Sequence, residues 1–405
     1  MNKLIVSICF YLPFAISCLN VQEITANFVS TSLAQIIAYL NLVLIITGVV
    51  LFRKNIRILS STNRLWFVFY ILYYGIGLLA SGVSGFQTSI IATLVPVIFF
   101  TGYNFLLSNK VHFNLFFIIL TICFVITSFI TIIFVKLNFN IYTGEVLRGW
   151  DLDRAGGITG DANAAALTNI IAFLLVNQIY KPSKIIFRLI KILLLITIFY
   201  SLFLTFSTTG LFTFTIIFAL INYKFFTGIK IVLFVVMIPL FYIGVFVLQS
   251  EVQSLGLSKA QTYKIENITN LLTFKLDKVD NSGRGDLLDN VIHYLYKNPI
   301  LGNGIDFSVA MRGHNTYIGI WVDAGILTFL FFIFMLSYYL LKTFALIPQL
   351  RFFAMSLLIV LYIFMISLQS VINKPYLIVI FVFIGYLIDN NKSDNSYMDT
   401  SQETI

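Results

Sequence analysis

The chain has 405 residues, enough on size alone for roughly two or three soluble domains. Composition excludes that: 59% of residues are apolar, 11% are charged and mean hydropathy is +0.94, against roughly 45–50% apolar and about 25% charged in soluble domains. The 26 Lys and Arg against 17 Asp and Glu leave a net +9, yet no dense basic tract stands beside a stacking platform, so the surplus reads as membrane topology and not as nucleic-acid binding.

One membrane crossing needs about 20 apolar residues. The hydrophobic runs predict twelve spans: 4–19, 34–52, 65–82, 88–107, 113–135, 164–180, 189–206, 211–223, 231–249, 316–340, 352–371 and 376–388. The first follows Met1-Asn2-Lys3 as a signal peptide would. No small-residue cleavage site is convincing and a second apolar run comes at once, so it is read as an uncleaved first helix. Runs 211–223 and 376–388 are short, and a hairpin gained or lost near 207–211 would change the count. Cys9, Cys18 and Cys123 all lie in apolar runs, leaving no disulfide framework, no CxxC and no metal-spaced cluster.

Charge sets the sidedness. With the N-terminus in the cytoplasm, 15 basic residues fall inside, nearly all in short connections, and no acidic residue falls there before Asp389. The other 11 basic residues and 13 of the 17 acidic ones fall outside, most of them in two long connections, 136–163 and 250–315. The expectation is an all-α, polytopic integral membrane protein of the cytoplasmic (inner) membrane, with about 12 transmembrane helices and both termini inside. Residues 1–388 form the membrane domain, 136–163 an outer loop, 250–315 a large, partly helical outer loop and 389–405 a disordered cytoplasmic tail.

Polar groups in so apolar a chain are few, and their placement is informative. The 136–163 loop carries Glu145, Arg148, Trp150, Asp151, Asp153 and Arg154, then Gly156, Gly157 and Gly160, then Asp161-Ala162-Asn163. Arg148 and Arg154 can clamp a phosphate through the planar guanidinium fork. The glycines let the backbone approach a ligand, and Asp161 or Asn163 can cap the next helix. The plainer alternative is a solvated loop with local Arg–Asp pairs.

In 281–304, Leu288, Val291, Ile292 and Leu295 form one apolar stripe of a short helix that opens at Arg284 and is ended by Pro299, Gly302 and Gly304. Asp289 and His293 sit on the opposite face. Then Met311-Arg312-Gly313-His314-Asn315-Thr316 opens the next span, whose first turns hold Trp321 and Asp323. A histidine where a long loop meets the bilayer can act as a base or as a phosphate partner. It can equally be an interfacial residue among belt aromatics. His293 reads as a surface residue and His112 as an interfacial one.

Together, Ser282-Gly-Arg284, Asn298-Pro-Ile-Leu-Gly302-Asn-Gly304, His314-Asn315-Thr-Tyr and Val-Asp323-Ala-Gly325-Ile resemble the signature of the O-antigen ligase/polymerase superfamily. The run from Arg154 to Gly160-Asp161-Ala162-Asn163 is similar to that family's Arg…Gly…Asp-Pro-Asn element, with Ala162 in place of Pro. One departure stands out. The family's Ser-Arg-x-Gly element reads Ser207-Thr208-Thr209-Gly210 here, which removes one phosphate contact that Arg148 or Arg312 would have to supply.

The resemblance implies a glycosyltransferase that needs neither a nucleotide sugar nor a metal cofactor. Its donor is a glycan on undecaprenyl pyrophosphate at the outer face. Its acceptor is a second lipid-linked repeat (a polymerase) or a lipid A core (a ligase), and a chain-length regulator is a candidate partner. It assigns Arg154 and Arg284 to the pyrophosphate and His314 to the acceptor hydroxyl or the pyrophosphate, with Arg148, Arg312, Asp161, Asn163, Asn315 and Asp323 as substrate-binding candidates. A flippase of lipid-linked glycans would line its spans with charges, whereas these spans are almost free of ionisable groups, the exception being Asp323 near an outer end. The missing arginine at Thr208 favours polymerase over ligase.

Overall fold

A computed structural model describes residues 3–53, 58–89, 93–141, 154–223, 259–272, 275, 284–369 and 371–391, with Ile243 and Val247 as single residues. Among the described residues there is no strand. The helices are α1 (Lys3–Cys18), α2 (Val21–Phe28), α3 (Thr31–Phe52), α4 (Arg64–Ser84), α5 (Val95–Leu106), α6 (Lys110–Lys136), α7 (Ala162–Ile179), α8 (Ile185–Leu204), α9 (Thr208–Ile221), α10 (Lys259–Leu272), α11 (Arg284–Lys297), α12 (Phe307–Ala310), α13 (Thr316–Thr343), α14 (Pro348–Ser367) and α15 (Pro375–Asn390).

Seven of these are long and apolar enough to cross a membrane, or eight if the bent pair α1–α2 is one span, while α5, α9 and α15 are shorter apolar helices. The protein is an all-helical, polytopic membrane protein. On α3, Ile36, Val43 and Val50 are 60%, 58% and 59% exposed, an apolar outer face that water would not tolerate at this extent and lipid does. Of the expected span 231–249 only Ile243 and Val247 are among the described residues.

Within the run 88–107, α5 covers Val95–Leu106 with Pro96 in its first turn, where the missing N–H costs no helical bond, and residues 90–92 lie outside the described residues. The run 4–19 is helical over Lys3–Cys18 with a π-helical turn at Ser7–Tyr11, and at Asn20, in the left-handed conformation at φ 49°, the chain then bends by 61° into α2.

The chain divides into two compact units. The first comprises Met1–Ile126 and Asp286–Ile405. Its core is aromatic: the Trp66 ring of α4 lies 5.1 Å from Phe381 of α15, and Phe69 lies 5.1 Å from Phe332 of α13, spacings at which tilted rings attract. At one end Asn63 bonds Asn104 (3.0 Å) and takes the Tyr339 hydroxyl (2.7 Å). Beside it the Asp389 carboxylate accepts from Ser60 Oγ (2.6 Å), Thr62 N (2.9 Å) and Thr62 Oγ1 (2.9 Å). Asp389, expected as the first residue of a disordered tail, thus belongs to α15, and the helix runs on to Asn390.

The second unit is Thr127–Gly285. Asp161 caps α7 through Oδ1, which accepts from the N–H groups of Asn163 and Ala164, both at 2.8 Å. Ser207 caps α9 by accepting from Gly210 N at 3.0 Å. Between α8 and α9, Phe206 takes the left-handed conformation at φ 45°, so the hairpin near 207–211 is present.

Candidate functional site

In the first unit α13 is broken. Ala324 (φ −131°, ψ 18°) and Gly325 (φ 76°, ψ 176°) leave helical geometry. A break strands the carbonyls of Val322 and Asp323 and the N–H of Ile326, and such groups are costly unless bonded. The turn after α11 satisfies all three. Asn303 N–H donates to Val322 O (2.7 Å), Gly304 N–H donates to Asp323 O (3.0 Å), and Ile326 N–H donates to Pro299 O (3.1 Å). The Trp321 indole adds a fourth bond, to Pro299 O at 2.8 Å. Gly302, at φ 83°, has no alternative residue here, because a Cβ would sit 2.5 Å from Asp323 O. The segment Pro299-Ile-Leu-Gly-Asn-Gly304 is therefore a plug fitted to a broken helix.

The α11 stripe behaves as the pattern predicts. Val291 and Leu295 pack with Phe307 and Val322, while Asp289 and His293 are exposed.

Ser308 is the hub of the bonds around this break. Its N–H and Oγ both donate to the Asp323 carboxylate, at 2.6 and 3.1 Å. Its carbonyl accepts from Gly313 N at 3.1 Å and from the Gln369 side-chain amide. Asp323 also takes the Tyr73 hydroxyl at 2.9 Å. The Asp306 carboxylate accepts from Asn373 Nδ2 at 2.9 Å and lies 3.4 Å from the same Tyr73 hydroxyl. Burial raises the pKa of Asp306 above its ordinary value, and the bonds from Asn373 and Tyr73 oppose that shift.

Three non-glycine residues of this segment hold the left-handed conformation: Asp306 (φ 57°), Arg312 (φ 56°) and His314 (φ 47°). Each costs roughly 1–3 kcal/mol and persists only where surrounding bonds over-determine it. Arg312 is exposed and His314 half-buried. Asn315 caps α13 by accepting from Ile318 N at 3.1 Å. Thr316 Oγ1 ties the same turn to Leu368 O at 2.6 Å.

In the second unit Arg154 is half-buried, with Nε 3.4 Å from Thr205 O, and Ala155 N donates to Leu204 O at 3.0 Å. These bonds seat the 154–160 loop on the end of α8. Arg154 is the charged residue lining a small, open pocket that also includes Asn138, Asn140, Phe134, Gly156 and Gly160. A guanidinium beside amides and bare glycine backbone suits an anion. Asp161 is the helix cap and Asn163 Oδ1 takes the Ser207 hydroxyl at 2.6 Å, so both side chains are engaged within the frame of this loop.

Of the expected residues, the first unit thus brings Arg312, His314, Asn315 and Asp323 onto one short bonded segment. The second holds Arg154, Asp161 and Asn163 along one loop and helix start. Arg284 is the first residue of α11, and its side chain is not among the described groups, while Arg148 lies outside the described residues. His112 bonds Tyr11 OH at 3.2 Å. Ser308, Tyr73, Asp306, Gln369 and Asn373 were not legible as site residues. Tyr73 sits in an aromatic-rich span that nothing in its own pattern marks out, and the available cue was Asp306, two residues after Gly304.

Residues 192–333 match a family model described as O-antigen ligase. No curated protein matches the chain. The matched region runs from within α8 to within α13, and it contains Thr208, Arg284, the plug, Arg312, His314 and Asp323. Residues 192–333 are thus an O-antigen ligase-type region, and the match supports the O-antigen ligase/polymerase superfamily over that part of the chain.

Proposed function

We propose that the protein polymerises oligosaccharide repeat units carried on undecaprenyl pyrophosphate, at the outer face of the cytoplasmic membrane, for a surface polysaccharide. The observation that carries this reading is the Arg312–His314 turn. It lies within the O-antigen ligase-type region, in a strained conformation held by the bond from Gly313 N to Ser308 O and followed directly by the Asn315 cap of α13.

The acceptor hydroxyl attacks the anomeric carbon of the donor chain. A carbon–oxygen bond forms there, the bond to the pyrophosphate breaks, and undecaprenyl pyrophosphate leaves with the electron pair. Arg154 and Arg284 are proposed to balance the charge that develops on the leaving oxygens. His314 takes the hydroxyl proton or contacts the pyrophosphate, and Arg148 or Arg312 is proposed to supply the charge that the family's arginine, here Thr208, would have carried. The reaction is proposed to need no divalent metal, with 250–315 on the outer side and both termini in the cytoplasm.

A ligase passing the chain to lipid A core is the second reading. Thr208 at the start of α9, where the family carries an arginine, speaks against it, because this side chain offers no charge to a phosphorylated core. The test uses purified protein, authentic lipid-linked repeat units and a chelator, with no other acceptor. A mass-spectrometric ladder spaced by one repeat supports the polymerase. Transfer only to added lipid A core replaces it with the ligase, and no product from either acceptor reopens transport of lipid-linked glycans.

A further inference from the structure

We propose that Asp323 is a positioning residue, which acts through Ser308 to hold Arg312 and His314 in the conformation that glycan transfer uses. The inference rests on the proposed function for the role of that turn. Its own basis is a chain of bonds.

Asp323 is 3% exposed, and its carboxylate is taken up by Ser308 N–H, Ser308 Oγ and Tyr73 OH. That leaves no face for a substrate, so direct binding is a poor description of it. Yet an ionisable group in an apolar helix is costly and is kept where it does something specific. The two bonds it gains from one serine fix both the position and the orientation of that residue.

Ser308 passes the constraint on. It is buried, and its carbonyl accepts from Gly313 N at 3.1 Å and from the Gln369 amide. Gly313 is flanked by Arg312 and His314, both left-handed. Without an external constraint such residues relax to the ordinary helical or extended regions. The path from carboxylate to turn is therefore three groups long: Asp323, Ser308, Gly313. On the other side Asp306, Asn373 and Tyr73 close the frame, and a Cβ on Gly313 would already press to 3.0 Å from Val291.

An amide at position 323 can keep most of this. Its oxygen accepts from Ser308 N–H, and the hydroxyls of Ser308 and Tyr73 can rotate to accept from its nitrogen. Alanine can keep none of it.

The test measures turnover of a lipid-linked donor by purified protein in nanodiscs. Asp323→Ala is expected to lower kcat by about 10²-fold, with the donor KM within about threefold. Asp323→Asn should restore kcat to within about tenfold of the parent. A spin label at Ala310→Cys should gain mobility in the alanine variant and not in the asparagine variant. In a His314→Gln background, Asp323→Ala should cost less than about threefold more, because both act on one element.

Full additivity of the two losses overturns the proposal, since Asp323 would then act on the fold at large. Near-normal kcat in Asp323→Ala with His314→Ala inactive overturns it alone. Full activity in His314→Ala removes the reading on which it rests. If Asp323→Ala does not fold, Ser308→Ala takes its place in the same cycle, deleting one bond of the same path, with a loss of about tenfold expected and additivity with His314→Gln again decisive against it.

Discussion

The Ser207 hydroxyl donates to Asn163 Oδ1 at 2.6 Å, and one turn further along both helices Ala166 meets Gly210 at the same sequence offset. A constant offset means that α7 and α9 run parallel here, with small residues letting the backbones approach. A Cβ on Gly210 would lie 2.6 Å from the Ala166 Cβ and 3.2 Å from Ser207. Gly210→Ala should therefore destabilise the protein by about 1–3 kcal/mol through overpacking. Thermal unfolding in detergent would show a lower midpoint than for Gly82→Ala, where nothing lies within 4 Å of the added methyl.

Asn169 and Thr213 continue that offset. Both are buried, and Asn169 Oδ1, Asn169 Nδ2 and Thr213 Oγ1 have no hydrogen-bond partner among the described residues. A buried polar group without a partner costs about 1–3 kcal/mol. Thr213→Val, which keeps the shape and removes the hydroxyl, should leave the unfolding midpoint unchanged or raise it. A clear drop would show that the hydroxyl is bonded in the membrane.

The plug makes a sharper demand. Gly302 is left-handed at φ 83° and faces the Asp323 carbonyl, and Gly325, at φ 76°, faces the Ile300 backbone. Alanine at either site meets both a disfavoured backbone conformation, worth roughly 1–2 kcal/mol, and rigid main-chain atoms that cannot move aside. Gly302→Ala and Gly325→Ala should each reduce folded yield strongly. Gly75→Ala in α4, with open space around it, should be neutral or gain about 0.5–1 kcal/mol. Equal folded yields for all three would remove the plug from the account of stability.

Asp306 gives a pH dependence with a definite sign. Burial raises its folded-state pKa above the unfolded value. The proton is then held more tightly in the folded state, so the contribution to stability is full below the unfolded pKa. It is lost as pH rises through the raised folded value. Asp306→Asn stays neutral and can still accept from Asn373, so its unfolding midpoint should rise relative to the parent as pH climbs from about 4. A constant difference between the two proteins across pH 4–8 would contradict this.

Much of this architecture was legible because it is local. The α11 stripe places Val291 and Leu295 inside and Asp289 and His293 outside by periodicity alone, and Asp161 caps α7 as its position suggests. The break in α13 was not legible. Hydropathy averages straight across Asp323-Ala-Gly325, and what stabilises the break is a turn some twenty residues earlier, a non-local pairing that no pattern within the helix announces. The bend at Asn20 was not legible either: one left-handed asparagine redirects the chain, and Gln22, Glu23 and Asn27 beyond it leave α2 without an apolar run to announce it. Asp323 was visible as an unusual residue. That its partner is the Ser308 backbone required the fold.

His314 and Arg154 should separate kinetically, because they are proposed to do different things. His314 is half-buried at the start of α13, next to the framed Gly313, and as a general base it would be worth about 10²–10⁴ in rate. His314→Ala should therefore lose turnover on that scale, while His293→Ala on the exposed face of α11 and His112→Ala beside Tyr11 should stay near the parent. His314→Gln, which keeps a hydrogen bond but accepts no proton, should fall with the alanine variant if the proton matters and recover if orientation is the whole role. Arg154 lines the pocket of the 154–160 loop and is proposed to stabilise charge on the leaving pyrophosphate. Arg154→Ala should abolish product, and Arg154→Lys should rescue it poorly because a point charge lacks the planar fork. Full rescue by lysine at normal expression would reduce Arg154 to general electrostatics, and normal product in Arg154→Ala would remove it from the reaction.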